Sequence, residues 1–299
     1  MVESSTASLW CISAASGPSA DRRAEIATEL AALAKRGGAV LISTCQRVEL
    51  YGDTRPAPTP PSGSTTFRSE AAVRHLFRVA AGLESAAVGE AEILGQVRRA
   101  FAGAGQLNGR LTRLFTAAIA TGRRCRAGKE PSGSSLAAVA ARSLLDLVES
   151  ASPTLLVIGA GYMGRALAAA LAPRCPHLVV ASRRLDRAAA VAGTFGATAV
   201  PLADAADLAP EVSGIAVALA ARWPAQFKPR SLAAVVDLSS PPALDPTAAR
   251  NYVGVDDLLA AAGRQSHSSG YESRAERVVE ADVAAYLDAV ERRRLKVAV

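Results

Sequence analysis

Thr154-Leu155-Leu156-Val157-Ile158 runs directly into Gly159-Ala160-Gly161-Tyr162-Met163-Gly164, and this stretch decides the fold. A short, continuous apolar run of this kind reads as a strand buried on both faces, as parallel strands are. A helical segment, Arg165 to Ala172, follows the glycines, and a second apolar run, His177 to Ala181, completes a βαβ unit. In that setting each glycine has a task. Gly159 allows the tight turn, Gly161 lets backbone approach a pyrophosphate, and Gly164 lets the helix pack closely on the strand. The helix N-terminus then offers free amides to phosphate. After the second strand stands Ser182-Arg183-Arg184, where an NAD-binding protein carries Asp or Glu for the ribose 2′-hydroxyl. A hydroxyl and two guanidinium groups suit a 2′-phosphate instead. The expected ligand is therefore NADP, held by Gly159, Ala160, Gly161, Tyr162, Met163, Gly164, Ser182, Arg183 and Arg184.

Outward from this unit, Val235 to Leu238 and Tyr252 to Asp256 extend the same parallel sheet. Three breaks divide the chain: a proline-rich interruption at Arg55 to Thr66, a glycine and serine junction at Gly128 to Ser135, and a polar stretch at Gly263 to Gly270. The reading is an α/β protein with an N-terminal α+β catalytic domain (1–148), a Rossmann-type NADP-binding domain with a parallel sheet (149–263) and a C-terminal connecting helix (264–299). In that helix Val278, Val279, Val283, Tyr286, Leu287 and Val290 recur at three and four residues. It is expected to end the chain alone, with an exposed apolar face that offers a surface for pairing.

Composition narrows the class. The 299 residues are 50% apolar but only 4% aromatic, and no uninterrupted apolar run of about 18 residues is present to span a bilayer. The first twenty residues lack the pattern of a secretory signal, so a cytoplasmic protein with no membrane partner is expected. Cys11, Cys45, Cys125 and Cys175 lie far apart and form no CxxC or Cys/His cluster, which argues against a disulfide framework and a metal site. The net charge is +7, with arginine clustered at Arg98-Arg99, from Arg110 to Arg126, and at Arg292-Arg293-Arg294. Such a pattern suits either a polyanionic partner or plain solvated helix faces.

The candidate nucleophile lies in Ser43-Thr44-Cys45-Gln46-Arg47, after the apolar run Ala39 to Ile42. Only the thiolate attacks carbonyl carbon well, and Arg47 two positions on could stabilise the anion or hold an anionic substrate. The competing reading is a buried structural cysteine. A thiol domain followed by an NADP domain points to acyl reduction, in which a thioester forms and hydride converts it to an aldehyde.

Here the chain resembles the glutamyl-tRNA reductase family over nearly its whole length. Ser43-Thr44-Cys45-Gln46-Arg47 matches that family's S-T-C-N-R element, and His75 to Gln96, HLFRVAAGLESAAVGEAEILGQ, matches its next signature. The likeness continues through Gly122 to Arg126, Ser134 to Val139, the GAGYMG turn, Ser182-Arg183 and Val255 to Leu258. It implies that Cys45 attacks the aminoacyl ester of glutamyl-tRNA and that NADPH reduces the thioester to glutamate-1-semialdehyde, the first step of tetrapyrrole synthesis. It further implies a catalytic His75 and a substrate pocket of Thr44, Gln46, Arg47, Ser85, Glu90, Ala91, Glu92 and Gln96. Arg47 would pair with the glutamyl carboxylate. On its helix Val73, Leu76, Phe77 and Ala80 form the apolar stripe, so His75 is expected on the opposite side. Implied partners are glutamyl-tRNA and glutamate-1-semialdehyde aminomutase.

The sequence also departs from that family. Ala14-Ala15-Ser16-Gly17-Pro18 replaces H-K-T-A-P, Glu92 stands where glutamine is usual, Leu219-Ala220 replaces Ser-Thr, and Pro242-Ala243 replaces Arg-Asp. The family's C-terminal dimerisation domain has no counterpart, so its homodimer is not expected to form by that route. Glu92 favours an alternative, an aminoacyl-tRNA reductase of different amino-acid specificity. A non-catalytic NADP- or tRNA-binding regulator is a third reading, opposed by the joint presence of Cys45, Arg47 and His75.

Overall fold

The structure is a computed structural model that describes residues 8–15, 17–90, 92–127, 135–223, 233–265 and 270–297. It divides into two compact units, one formed by Met1–Ser132 with Gln265–Val299 and the other by Gly133–Arg264. Among the described residues no helix is long and apolar enough to cross a membrane.

The first unit is built on an antiparallel sheet of β1 (Leu9–Ala14), β2 (Ala39–Ser43), β3 (Val48–Asp53) and β4 (Thr65–Arg68), in the order β2-β3-β1-β4. Alternation along the strands sends successive side chains to opposite faces. Trp10, Ile12, Ala14, Val48 and Leu50 face α1 (Ala20–Ala34), where they meet Ile26 and Leu30. Leu9, Cys11, Val40, Ile42 and Tyr51 face the other way, into a core shared with α2 (Glu70–Ala81), α3 (Glu92–Gly103) and α4 (Gly109–Arg126). The helix starts are capped by short polar side chains. Ser19 accepts from the Arg22 amide at α1, and Asn108 accepts from the Arg110 and Leu111 amides at α4.

The second unit opens with α5 (Leu136–Leu147), capped by Ser135, and continues through β5 (Thr154–Ile158), α6 (Tyr162–Leu171), β6 (His177–Ser182), α7 (Leu185–Phe195), β7 (Thr198–Pro201), the short α8 (Ala205–Leu208), β8 (Gly214–Val217), β9 (Ala234–Asp237), β10 (Asn251–Val253) and α9 (Val255–Gln265). Its six strands are all parallel, in the order β10-β9-β8-β5-β6-β7. Reversal of strand order on either side of β5 creates the crevice at strand C-termini that defines a Rossmann-type sheet. The sequence reading puts α5 in the first domain, whereas α5 packs on α6, β8 and β9 of the second unit.

The last helix, α10 (Gly270–Val297), rejoins the first unit. The expectation that its apolar face is exposed, with no helix to pack against, fails. Tyr271, Ala275, Val279, Val283 and Tyr286, spaced at three and four residues, are buried against α2 and α4. Polar bonds fix the register: the Tyr271 hydroxyl donates to the Ala81 carbonyl, Asp282 pairs with Arg124 and accepts from the Thr121 hydroxyl at 2.6 Å, and Glu280 pairs with Arg74 at 3.1 Å. Periodicity marks the stripe on a helix without naming what covers it.

Candidate active site

Cys45 sits in the four-residue loop that joins β2 to β3. The loop is closed by the Thr44 amide donating to the Arg47 carbonyl at 2.9 Å. Inside it the Thr44 hydroxyl oxygen accepts from the amides of Gln46 and Arg47, each at 3.1 Å. Thr44 is thus a turn-former, and its hydroxyl holds the loop that carries the thiol. The Gln46 side chain ties this loop to the segment after α2: its oxygen accepts from the Ala86 amide and its nitrogen donates to the Glu90 carboxylate, both at 3.2 Å. Arg126 of α4 holds that segment from behind, donating to the carbonyls of Ala80, Gly122 and Glu90 at 2.7 to 2.9 Å. Ser85 is buried in the same segment, and Ala91 lies outside the described residues.

The electrostatics around the thiol differ from the expectation. Burial, then the carboxylates of Glu90 and Glu92, push Cys45 up to about 12, and the cation that opposes them is Arg23 of α1. Arg47 does not serve Cys45. Its guanidinium is turned into the core, 3.1 Å from Glu49 Oε1 and bonded to the Glu84 carbonyl, while Nε is buried without a hydrogen-bond partner. The cause is strand alternation, which puts Arg47, Glu49 and Tyr51 on one face of β3. Glu92, at the start of α3, is raised to about 7 by burial and by Glu90, against a hydrogen bond from Gln96 and the charge of Arg99. Burial likewise raises Glu90, against Gln46, Arg47 and Arg126.

Behind the loop lies a polar network that sequence reading missed. Glu49 is fully buried and accepts from Arg47, from the Tyr51 hydroxyl at 2.8 Å and from the Ser13 hydroxyl at 3.2 Å; His75 Nε2 lies 3.0 Å from the same carboxylate. Burial alone would raise Glu49, but Arg47, His75 and these bonds outweigh it and hold the carboxyl down to about 2. An ionised carboxylate only accepts, so His75 carries its proton on Nε2. His75 is therefore not on an outward face of α2. It is buried, stacked on Phe67 at 4.2 Å between centroids and 14° between planes. Both sides of α2 are covered, one by the sheet and one by α4 and α10. The period-two triplet Arg47, Glu49, Tyr51 was the available signal for this network. Cys11 Sγ, a Glu49 oxygen and a His75 nitrogen lie within 4.8 Å of one another, a grouping of metal-ligand types. Arg47 already supplies the positive charge at that carboxylate, so a cation there would face a guanidinium.

In the second unit β5 ends in the glycine turn. Gly159 has φ +108°, and a Cβ on it would lie 2.3 Å from the Ala218 carbonyl oxygen. At Gly164 a Cβ would lie 1.7 Å from the Gly159 oxygen. Both are required by packing inside the unit. Gly161, the residue before α6, is exposed and a Cβ there would touch nothing, so its bareness is unexplained by the protein's own packing and fits a cradle for a ligand backbone. Ala160, Tyr162 and Met163 complete the turn, with Tyr162 exposed. At the end of β6, Arg183 and Arg184 are exposed and Ser182 Oγ accepts from the Arg184 amide at 3.3 Å. Arg184 is paired with Asp186 at 2.7 Å, which the sequence reading did not foresee. At the end of β9, Asp237 accepts from the amides of Ser239, Ala243 and Leu244 and so fixes the loop containing Pro242-Ala243.

A parallel sheet with a glycine turn in one unit, and a thiol on a stapled hairpin loop in the other, define a reductase-like protein of the dinucleotide-binding class. Residues 2–128 match the family described as glutamyl-tRNAGlu reductase, N-terminal domain, and residues 140–260 match shikimate / quinate 5-dehydrogenase. The chain is 34% identical to the glutamyl-tRNA reductase of Salinispora tropica, over 88% of this chain and 67% of that one, and 34% identical to that of Salinispora arenicola, over 84% and 64%. The solved structure of glutamyl-tRNA reductase from Methanopyrus kandleri superposes with a TM-score of 0.50 at 25% identity, covering 97% of this chain and 81% of that one. The chain belongs to the glutamyl-tRNA reductase family, and it spans about two thirds or less of the length of most of the curated relatives it matches.

Proposed function

We propose that this chain reduces glutamyl-tRNA to glutamate-1-semialdehyde through a thioester on Cys45, with NADPH as reductant. The observation that carries the reading is the display of Cys45 on a hairpin loop stapled by Thr44 and Gln46, in a chain of this family. The thiol must lose its proton first. Glu92, near neutrality, is suited to accept it at working pH, since a base is most effective when its pKa lies close to that pH. The sulfur then attacks the ester carbonyl, the carbon–oxygen bond to the tRNA ribose breaks, and the tRNA hydroxyl leaves with a proton. When bound, NADPH supplies the hydride that turns the acyl group into an aldehyde. The freed sulfur departs as thiolate and is re-protonated. Glu49 and His75 support this from behind the loop by holding Arg47 and β3 in place. Gly161 and the start of α6 would take the pyrophosphate, with Arg183 available to a 2′-phosphate.

One observation favours a second reading. Arg47 is engaged with Glu49 and the Glu84 carbonyl, and Glu90 and Glu92 place two carboxyl groups beside the thiol. That surrounding suits an aminoacyl group without a side-chain carboxylate. Both readings are tested by single-turnover reaction with radiolabelled aminoacyl-tRNAs, with and without NADPH. Label held on protein from glutamyl-tRNA and released as semialdehyde only with NADPH supports the first. Label from other aminoacyl-tRNAs but not from glutamyl-tRNA supports the second. No label from any of them, with Cys45 free and the protein folded, overturns both.

A further inference from the structure

Several arginines of the first unit are taken up by partners within it. Arg110 pairs with Asp53 at 2.9 Å, Arg124 with Asp282, Arg74 with Glu280 and Arg78 with Glu84, while Arg126 is consumed by backbone carbonyls. Arg98, Arg99 and Arg123 make no ion pair among the described residues, and all three are exposed. They are also gathered. Arg98 and Arg99 on α3 and Arg123 on α4 line one groove of about 620 Å³, with Gly95 keeping the α3 wall low and Phe101 and Ile119 supplying an apolar floor. Three guanidinium groups on one concave surface whose lining holds no carboxylate give it a positive potential, focused by the groove walls.

The placement of the groove says what it is for. One wall is the helix whose first turn carries Glu92, a carboxylate whose charge acts on Cys45, and the Arg99 charge in turn acts on Glu92. From Gly95 to Ala102 the wall runs for about 10 Å at 1.5 Å per residue, enough for a short run of consecutive phosphates rather than one anion. Guanidinium groups bind phosphate oxygens through paired donors, and an apolar floor accommodates ribose and base faces.

We propose that this groove between α3 and α4 binds the phosphodiester backbone of the tRNA next to its aminoacylated end, so that the ester is delivered to Cys45. This rests on the proposed aminoacyl-tRNA substrate and adds the place where that substrate is held. It also assigns Arg98, Arg99 and Arg123 as binding residues that contribute charge and no chemistry.

The test uses the full chain and uncharged tRNA, so that binding is read apart from acyl transfer. The variant Arg98→Ala/Arg99→Ala/Arg123→Ala is compared with wild type by fluorescence anisotropy over a range of salt. Loss of three phosphate contacts should weaken binding at least tenfold at low salt and make the slope of log affinity against log salt shallower by about 2. The corresponding triple lysine variant keeps the charge and should retain most of the affinity, which separates charge from folding. Thermal unfolding should be unchanged in both. Equal affinity and equal salt slope in wild type and alanine variant overturn the proposal, as does wild type that binds no tRNA. Displacement of the tRNA by inorganic phosphate at equal ionic strength would also overturn it, since the groove would then be a small-anion site. If the groove result holds while no acyl group reaches Cys45, the reductase reading fails and the groove stands. If thioester forms equally well in both proteins, the reverse is true.

Discussion

Replacing Glu49 with glutamine keeps the shape of the side chain and removes its charge. In the native protein this carboxylate is fully buried and receives Arg47 at 3.1 Å, His75 at 3.0 Å, Tyr51 at 2.8 Å and Ser13 at 3.2 Å. Those partners hold it at about 2, against an ordinary 4.5, which corresponds to about 3 kcal/mol of stabilisation of the ionised form. Because the folded-state value is the lower one, the contribution is complete above about 4.5 and is lost as pH falls from there toward about 2. In Glu49→Gln the Arg47 guanidinium is left in the core without its counter-ion, so at neutral pH the loss should be about 3 to 5 kcal/mol. Urea unfolding of both proteins at a series of pH values measures it. The gap between them should be full at neutral pH and should narrow as pH falls from 4.5 toward 2, because Glu49 of the unfolded wild-type chain is protonated in that range while the folded protein still holds it ionised. A variant within about 1 kcal/mol of wild type at pH 7, or a gap that stays constant into acid, would refute the account of the buried network.

Two further outcomes follow from the same geometry. Gly161→Ala should leave the unfolding temperature unchanged and weaken NADPH binding measured by fluorescence titration, since a Cβ there meets nothing in the protein; Gly164→Ala, with its Cβ 1.7 Å from the Gly159 oxygen, should cost about 3 kcal/mol or more of stability. If both variants lose stability alike, the ligand role of Gly161 is wrong. Glu92→Gln removes one of the two charges that raise the Cys45 thiol, so alkylation by iodoacetamide at fixed alkaline pH should speed up by about threefold or more. Acyl transfer should slow in the same variant if Glu92 takes the thiol proton, and a variant unchanged in both rates would remove Glu92 from the site.

The parallel sheet was legible because its signal is local. Thr154–Ile158 is buried on both faces, so every residue is apolar or β-branched, and the glycine turn follows at fixed spacing. The thiol loop was legible for the same reason, since four adjacent residues build it. What escaped was long-range. Arg47 points to Glu49 rather than to Cys45 because of strand alternation, and the cation that does act on Cys45 comes from Arg23, on another element. His75 reads as outward by helical periodicity, yet the sheet covers that side and Phe67 stacks on it. A helical wheel shows which residues share a face and is silent on whether a second layer lies over the supposedly wet one.

The return of α10 to the first unit sets an order of assembly. The thiol-bearing core is made of residues from both ends of the chain, with the whole dinucleotide-binding unit inserted between them. A ribosome therefore releases Leu76, Phe77, Leu114 and Phe115 long before Val279, Val283 and Tyr286 exist to cover them. The inserted unit, contiguous in sequence, can finish first, while the unit that carries Cys45 begins before it and closes after it. Until α10 is made, the apolar faces of α2 and α4 that it covers are exposed, surface of the kind that chaperones bind.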